Sequence, residues 1–451
     1  MSDCPHSDGI EAEEFAALMA RLGPFEPRPR LAVGLSGGAD SLALTLLLKE
    51  WVEQRQGCLL ALTVDHGLRA DSGAEARSVG ALCASLGIDH RTLVWRPEHG
   101  KGAVQARARE ARYALLTEAS REAGIFHLAL AHHRDDQAET FLFRLGRSSG
   151  LIGLSAMPAV RCLAAVRLVR PLLGLPGARL RATLRSRGVE WIEDPSNLNP
   201  AFARTRLRRL LEKMACDGLS GARLCRAAHG LGEHRREMER EAACLIAAAV
   251  RLHPQGHATL DRPAFARGGG EARALALSSL LVALGGASRP PGRDALGRFA
   301  DYVVGDGAGA STLAGVRAVR RGAKSVLLVR EERHLERMDV VCGAPARWDN
   351  RFDVHVPRPS GPAPERKAPT GKLWLGPLGE DGWTALPAGL RATARQVCPW
   401  PARVVLPALW DKLGLISQPH LGYVREDWSA MAGVELIFRP QRPITRLFTL
   451  V

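Results

Sequence analysis

Between residues 30 and 144, short unbroken apolar runs alternate with stretches of helical spacing. Leu31-Ala-Val-Gly-Leu35 reads as a buried strand, 40–56 as a helix, 58–64 as a second strand and 72–86 as a helix. A strand at 91–95, a helix at 104–123, a strand at 126–131 and a helix at 135–145 follow. A strand with one wet face alternates apolar and polar residues. These strands do not, so both their faces must be covered, and the intervening helices are what covers them. The pattern dictates an α/β fold with a doubly wound parallel sheet. Ligands of such sheets bind beyond the carboxyl ends of the strands, which is where the polar clusters of this stretch fall.

The most pointed cluster is Ser36-Gly-Gly-Ala-Asp-Ser41, directly after the first strand and directly before a helix. Gly37 and Gly38 let the backbone turn tightly, and free N–H groups at the positive end of a helix make an anion site. Phosphate is the natural occupant. Ser36 and Ser41 can add hydroxyl donors around Ala39. Asp40 would repel a bare phosphate and makes better sense as a magnesium ligand beside it. No G-x-x-x-x-G-K-[ST] string occurs, and no G-x-G-x-x-G follows this strand.

A second cluster, Val64-Asp-His-Gly-Leu-Arg69, closes the second strand, where Asp65 and His66 either meet the nucleotide or its metal or form a polar turn. The third, Ala131-His-His-Arg-Asp-Asp-Gln-Ala-Glu-Thr140, opens a helix and puts Asp136 and Glu139 three apart on one face. Two carboxylates held together repel and want a cation between them. Asp135 is equally well explained as a complement to the helix dipole.

The chain's 451 residues leave room for about three domains. Residues 1–29 read as an N-terminal extension and 30–215 as the α/β domain. A mainly helical middle domain follows over 216–335, with 216–289 all-helical and a β-hairpin formed by 312–317 and 325–329. A small mixed α/β domain spans 336–451, with strands at 373–375 and 435–438 and a linker or long loop at 357–370. Lys plus Arg total 62 against 47 Asp plus Glu, a net charge of +15 that favours a polyanionic partner, nucleic acid foremost. The excess is concentrated, since residues 161–226 hold 14 basic and 5 acidic side chains in Arg-rich helical and loop sequence. Nine dispersed cysteines with no C-x-x-C pair argue against a disulfide framework or structural zinc and for reduced thiols in the cytoplasm. The N-terminus lacks the basic and apolar regions of a secretory signal. The apolar stretch 274–287 is too short to span a bilayer and reads as a buried helix.

The string 36–41 resembles the S-G-G-x-D-S loop of the PP-loop ATP pyrophosphatases, which split ATP between the α and β phosphates and activate an oxygen as its adenylate. The stretch from Asp136 to Leu154 resembles the lysidine-synthase branch of that superfamily. Arg170-Pro-Leu-Leu173, Trp191-Ile-Glu-Asp-Pro-Ser-Asn197 and the basic helix at 204–209 are similar to that family in order and spacing, so the resemblance spans about 30–209. It implies a PP-loop, adenine nucleotide alpha hydrolase-like domain acting with ATP and Mg2+. The implied reaction adenylates the wobble cytidine of tRNA(Ile) with a CAU anticodon and replaces AMP by the ε-amine of free L-lysine. On that resemblance Asp40, Asp136, Glu139 and Arg206 are the catalytic residues. Ser36 to Ser41 with Asp65 and His66 bind ATP, and Arg112, His133, Asp136 and Glu139 bind lysine. Asp136 accepts the amine's proton, and Arg206 holds the phosphate of the adenylated base.

Trp348-Asp-Asn-Arg-Phe352 and Leu375-Gly-Pro-Leu-Gly379 look like the C-terminal region of proteobacterial members, which helps grip the tRNA body. Trp191 and Phe202 either stack on unpaired bases or simply pack. The competing reading is another PP-loop tRNA-modifying enzyme, a thiolase, which generally needs a C-x-x-C pair or an active-site cysteine near the loop. Oligomeric state stays open.

Overall fold

A computed structural model of the chain describes residues 8–65, 67, 72–96, 104–147, 150–163, 166–192, 203–306, 309–358, 372–431, 433–442 and 444–445. They fall into two compact units, one through Glu237 and one from Met238.

The first unit opens with α1 (Ala12–Ala20), β1 (Arg30–Gly34), α2 (Ala39–Glu53), β2 (Cys58–Asp65), α3 (Ser72–Ser85) and β3 (Asp89–Val94). It continues through α4 (Val104–Glu122), β4 (His127–Ala129), α5 (Arg134–Leu145), α6 (Leu151–Leu154), β5 (Val160–Cys162), β6 (Arg167–Val169), α7 (Gly177–Ser186), α8 (Ala203–Cys216) and α9 (Gly221–Ala249), which runs into the second unit. The sheet order is β3-β2-β1-β4-β6-β5, parallel apart from β5 against β6. Successive residues of one strand serve opposite cores. Leu31 and Val33 join Leu44, Leu47 and Leu48 of α2 on one face, while Ala32, Leu60 and Leu62 join Leu116 and Ala119 of α4 on the other. Fully burying one such leucine contributes roughly 1.5–3 kcal/mol, which is why β1 and most of β2 carry no polar face, whereas the edge strand β3 is polar and largely exposed.

Several expectations are corrected. The N-terminal extension belongs to the first unit from residue 8 onward, because Ile10, Phe15, Met19 and Leu22 are buried in the α2 core. The first compact unit continues past 215 to Glu237, partway along α9. The Arg-rich stretch after 161, read as helix and loop, contributes a sheet strand at 167–169. There Arg167 is buried because its guanidinium donates to the carbonyls of Leu22, Gly23 and Pro24.

The second unit is not all-helical over 216–289, since β7 (Val250–His253) and β8 (His257–Asp261) form a hairpin before α10 (Arg262–Ala266) and α11 (Gly270–Gly285). The apolar stretch 274–287 lies mostly on α11, with Leu277, Leu280, Leu281 and Leu284 buried, and no helix among the described residues is long and apolar enough to cross a membrane. After α12 (Arg293–Val304), the single hairpin expected at 312–329 is a three-stranded meander of β9 (Ala310–Leu313), β10 (Val316–Arg321) and β11 (Ser325–Arg330). The run 312–317 is broken because Ala314 and Gly315 turn at φ 50° and 74°.

The remainder comprises β12 (Met338–Val340), β13 (Pro345–Trp348), β14 (Phe352–His355), β15 (Leu373–Pro377), α13 (Gly379–Ala385), α14 (Ala388–Val397), α15 (Trp400–Arg403), β16 (Pro407–Asp411), β17 (Gly414–Gln418), β18 (Tyr423–Val424) and β19 (Glu435–Phe438). They build antiparallel sheets ordered β12-β15-β16-β17-β18 and β13-β14-β19. Most of the linker expected at 357–370 lies outside the described residues.

The β7–β8 hairpin carries an acid-sensitive element. His257 is 1% exposed and stacks on His253 with ring centroids 4.2 Å apart. Burial first, then the charges of His253 and Arg321, push its pKa down to about 3. Below about pH 6.5 the unfolded chain binds a proton that folded His257 refuses, so stability falls as pH drops, by about 1.4 kcal/mol per unit. Urea unfolding at pH 7 and pH 5 should show a loss of about 2 kcal/mol from this residue. In His257→Asn that difference should largely vanish; an equal loss would contradict the assignment.

Candidate active site

In the order β3-β2-β1-β4 the winding of the chain reverses between β1 and β4, so the connections leaving the carboxyl ends of these two paired strands diverge. A cleft of about 370 Å³ opens there, with Gly34 and Leu130 at its base, Ser36, Asp40 and Ser41 on one side, and Arg109 and Arg112 of α4 on the other. Gly34 is needed at this point because a Cβ would come within 2.7 Å of Leu130.

The loop from Ser36 is held open from within. The Ser36 amide donates to Ser41 Oγ at 3.1 Å, the Ser41 hydroxyl donates to the Gly38 carbonyl at 3.0 Å, and the Ser36 hydroxyl lies 3.0 Å from Ser41 Oγ. Gly37 sits at φ 82°, and a Cβ there would meet Val79 at 2.9 Å and Ile192 at 3.2 Å. The Ile192 amide donates to the Gly37 carbonyl at 3.1 Å, fastening the chain after α7 to the loop. Gly38 is the extended N-cap of α2, whose first-turn N–H groups at Ala39, Asp40 and Ser41 have no intrahelical acceptor. These amides face the same end of the helix dipole, as an anion site requires.

Across the strand ends, α5 begins with a capping box. The His133 amide donates to Asp136 Oδ2 at 3.1 Å, and the Asp135 amide donates to His133 Nδ1 at 3.2 Å. Because Nδ1 accepts, the neutral ring carries its proton on Nε2, which points at Asp40 Oδ2 3.3 Å away and at Asp136 Oδ2 3.6 Å away. Burial alone would lower the pKa of His133, but the hydrogen bond that Nε2–H donates to Asp40 and the charges of Asp136, Asp40 and Asp135 outweigh it and raise it to about 9. Asp135 Oδ2 also lies 3.6 Å from Nδ1. Asp135 is not merely a dipole complement, since its Oδ2 also accepts the Gly177 amide at 3.0 Å and ties α7 to α5.

Glu139 lies one turn further along α5 and is 3% exposed, with Arg208 Nε of α8 2.5 Å from its Oε1. The cation that the paired carboxylates of α5 call for is thus supplied by the chain itself. Arg206, the arginine singled out from sequence, lies exposed on α8.

The α4 side of the cleft is cationic. Arg109 reaches the Tyr113 hydroxyl at 3.4 Å, and buried Arg170 donates to His132 Nδ1 at 3.2 Å and to the Pro158 carbonyl at 2.8 Å. Burial raises the Tyr113 pKa, but Arg109, Arg170 and Arg112 together hold it below its usual value. Arg112 is less basic than usual, first through burial and then through Arg109, with Tyr113 opposing. The cleft is thus lined by the carboxylate of Asp40 and by Arg109 and Arg112 of α4, and the acids of α5 adjoin Asp40 through His133.

Asp65 ends β2 in a polar turn, its Oδ1 accepting the Gly67 amide at 2.9 Å. His66 and Phe202 lie outside the described residues. Trp191 packs against the α2 core under Arg185, 5.9 Å from its guanidinium. Sequence reasoning missed Arg208 and the Tyr113–Arg170–His132 group. The motif Arg170-Pro-Leu-Leu173 was the one available signal for the latter.

Residues 10–214 match the family described as the PP-loop domain. The tRNA(Ile)-lysidine synthase of Orientia tsutsugamushi is 31% identical over 95% of this chain and 97% of its own length. That of Ruegeria pomeroyi is 35% identical over 92% and 93%. In the Bradyrhizobium sp. enzyme of the same name, identity reaches 48% over 46% of this chain and 58% of the relative.

Proposed function

The chain belongs to the tRNA(Ile)-lysidine synthase family, and from that premise we propose that it joins the ε-amine of free L-lysine to the wobble cytidine of a CAU-anticodon tRNA(Ile). The observation that carries this reading is the pairing of an amide-lined anion loop with a sealed acidic group on α5, in one first unit and linked by the 3.3 Å contact of Asp40 with His133. ATP is the co-substrate, as the PP-loop domain implies.

In the first step the 2-carbonyl oxygen of cytosine attacks the α-phosphorus, and the bond to pyrophosphate breaks. The amides at the start of α2 receive the departing charge, preorganised and at no reorganisation cost. Asp40 Oδ1 is buried without a hydrogen-bond partner among the described residues, and one hard carboxylate oxygen beside phosphates suits Mg2+. Asp40 would hold the ion, which when bound neutralises polyphosphate charge.

In the second step the lysine amine attacks C2 of the adenylated base, the carbon–nitrogen bond forms and AMP leaves. The basic residues of α4 and the acids of α5 together suit a zwitterionic amino acid. Arg112 would take the carboxylate, and Asp136 and Glu139 the ammonium, whose solution pKa near 10.4 demands that a base take its proton before attack. Asp136 is that base, with His133 holding the start of α5 in register. Exposed Arg206 and Arg209 on α8 suit RNA phosphates or the AMP phosphate. The second unit would grip the tRNA body through phosphate contacts. The eight cysteines among the described residues are all free, which suits a reducing cytoplasm.

A thiolase reading has no C-x-x-C pair to carry sulfur. Incubating the protein with ATP, magnesium, lysine and a tRNA(Ile) transcript should give lysidine by nucleoside mass spectrometry, and omitting lysine should stop at adenylated cytidine. Sulfur incorporation, or no nucleoside change at saturating reagents, would sink the proposal.

A further inference from the structure

The buried acid of α5 already holds a cation, and the two members of that ion pair are unequally placed. Glu139 is 3% exposed, whereas Arg208 is 43% exposed and reaches in from α8 with Nε 2.5 Å from Oε1. Burial opposes the charge on Arg208, but the bond to Glu139 and the charges of Glu139, Asp136 and Asp40 strengthen it. The guanidinium therefore lies within the field of the three carboxylates Glu139, Asp136 and Asp40.

We propose that Arg208 is a resident place-holder, whose guanidinium occupies Glu139 until the ammonium of the amino-acid substrate displaces it. This rests on the reading of the α5 acids as the amine site. A sealed carboxylate cannot be left bare, because the desolvated charge has nothing to offset it. A guanidinium that is already half in water loses little by turning outward, so exchanging one cation for another is far easier than creating an empty anionic site. Arg208 is a positioning residue on this account: it is the resident competitor that the incoming ammonium turns aside. A competitor built into the chain also weakens apparent substrate affinity in proportion to its occupancy.

Steady-state kinetics of lysidine formation at pH 8 test the exchange. In Arg208→Met, which keeps the aliphatic stem along α8, the KM for lysine should fall by about tenfold. Arg208→Lys supplies another resident cation and should stay near the wild-type KM. A pair that merely fastens α8 to α5 predicts an unchanged or raised KM in Arg208→Met, and that result overturns the proposal. Should Arg208→Met not fold, the Arg208 Nε–H resonance of the wild-type protein decides. Saturating lysine should shift it toward a solvent-exposed guanidinium, and a resonance unmoved at saturation refutes the exchange. Absence of lysidine in the wild-type protein would instead remove the functional reading beneath it.

Discussion

Gly37→Ala should cut pyrophosphate release from ATP by at least about 100-fold while leaving the far-ultraviolet circular dichroism of the protein intact. At φ 82° a side chain is strained, by about 1–3 kcal/mol. The added Cβ would also stand 2.9 Å from Val79 and 3.2 Å from Ile192, so the loop must shift by some tenths of an ångström. That shift is tolerable for a surface turn but not for a cradle, because the amides of α2's first turn stabilise phosphate only at hydrogen-bond distance. A variant that still released pyrophosphate at near the wild-type rate would show that this loop does not hold the polyphosphate.

Glu139→Gln should split the reaction into its halves, with adenylated tRNA accumulating and kcat/KM for lysine falling by about 30-fold to several thousand-fold. The amide keeps the shape of the side chain but removes the charge. Truncating one member of a buried charged pair costs about 2–5 kcal/mol in binding, which sets that range. Nucleoside mass spectrometry at graded lysine concentrations reads both effects at once. Unchanged dependence on lysine would place the amine elsewhere in the cleft.

The sheet was legible because strands covered on both faces must be apolar throughout, and the stretch at 58–64 matches β2 to within one residue. The strand at 167–169 was hidden because it opens on an arginine whose burial depends on carbonyls of residues 22–24, about 140 positions earlier. Such tertiary compensation leaves no local trace. The site divides in the same way. The anion loop and the acids of α5 follow from short-range spacing, since a tight turn, a helix start and a three-residue interval are properties of a few neighbouring residues. Arg208 does not. Arg204, Arg206, Arg208 and Arg209 are chemically equivalent in the sequence, and only the placement of α8 against α5 brings Arg208 to Glu139. Arg170 and Tyr113 likewise meet only because β6 lies beside β4.

The bond from the Ile192 amide to the Gly37 carbonyl matters for anyone trimming this protein or transplanting its signature. The six-residue string is shaped partly by chain laid down more than 150 positions later. A fragment cut before that point would keep the recognisable letters yet lose the strap that sets their curvature. Detecting the string in an unrelated open reading frame is therefore weak grounds for expecting a working nucleotide pocket.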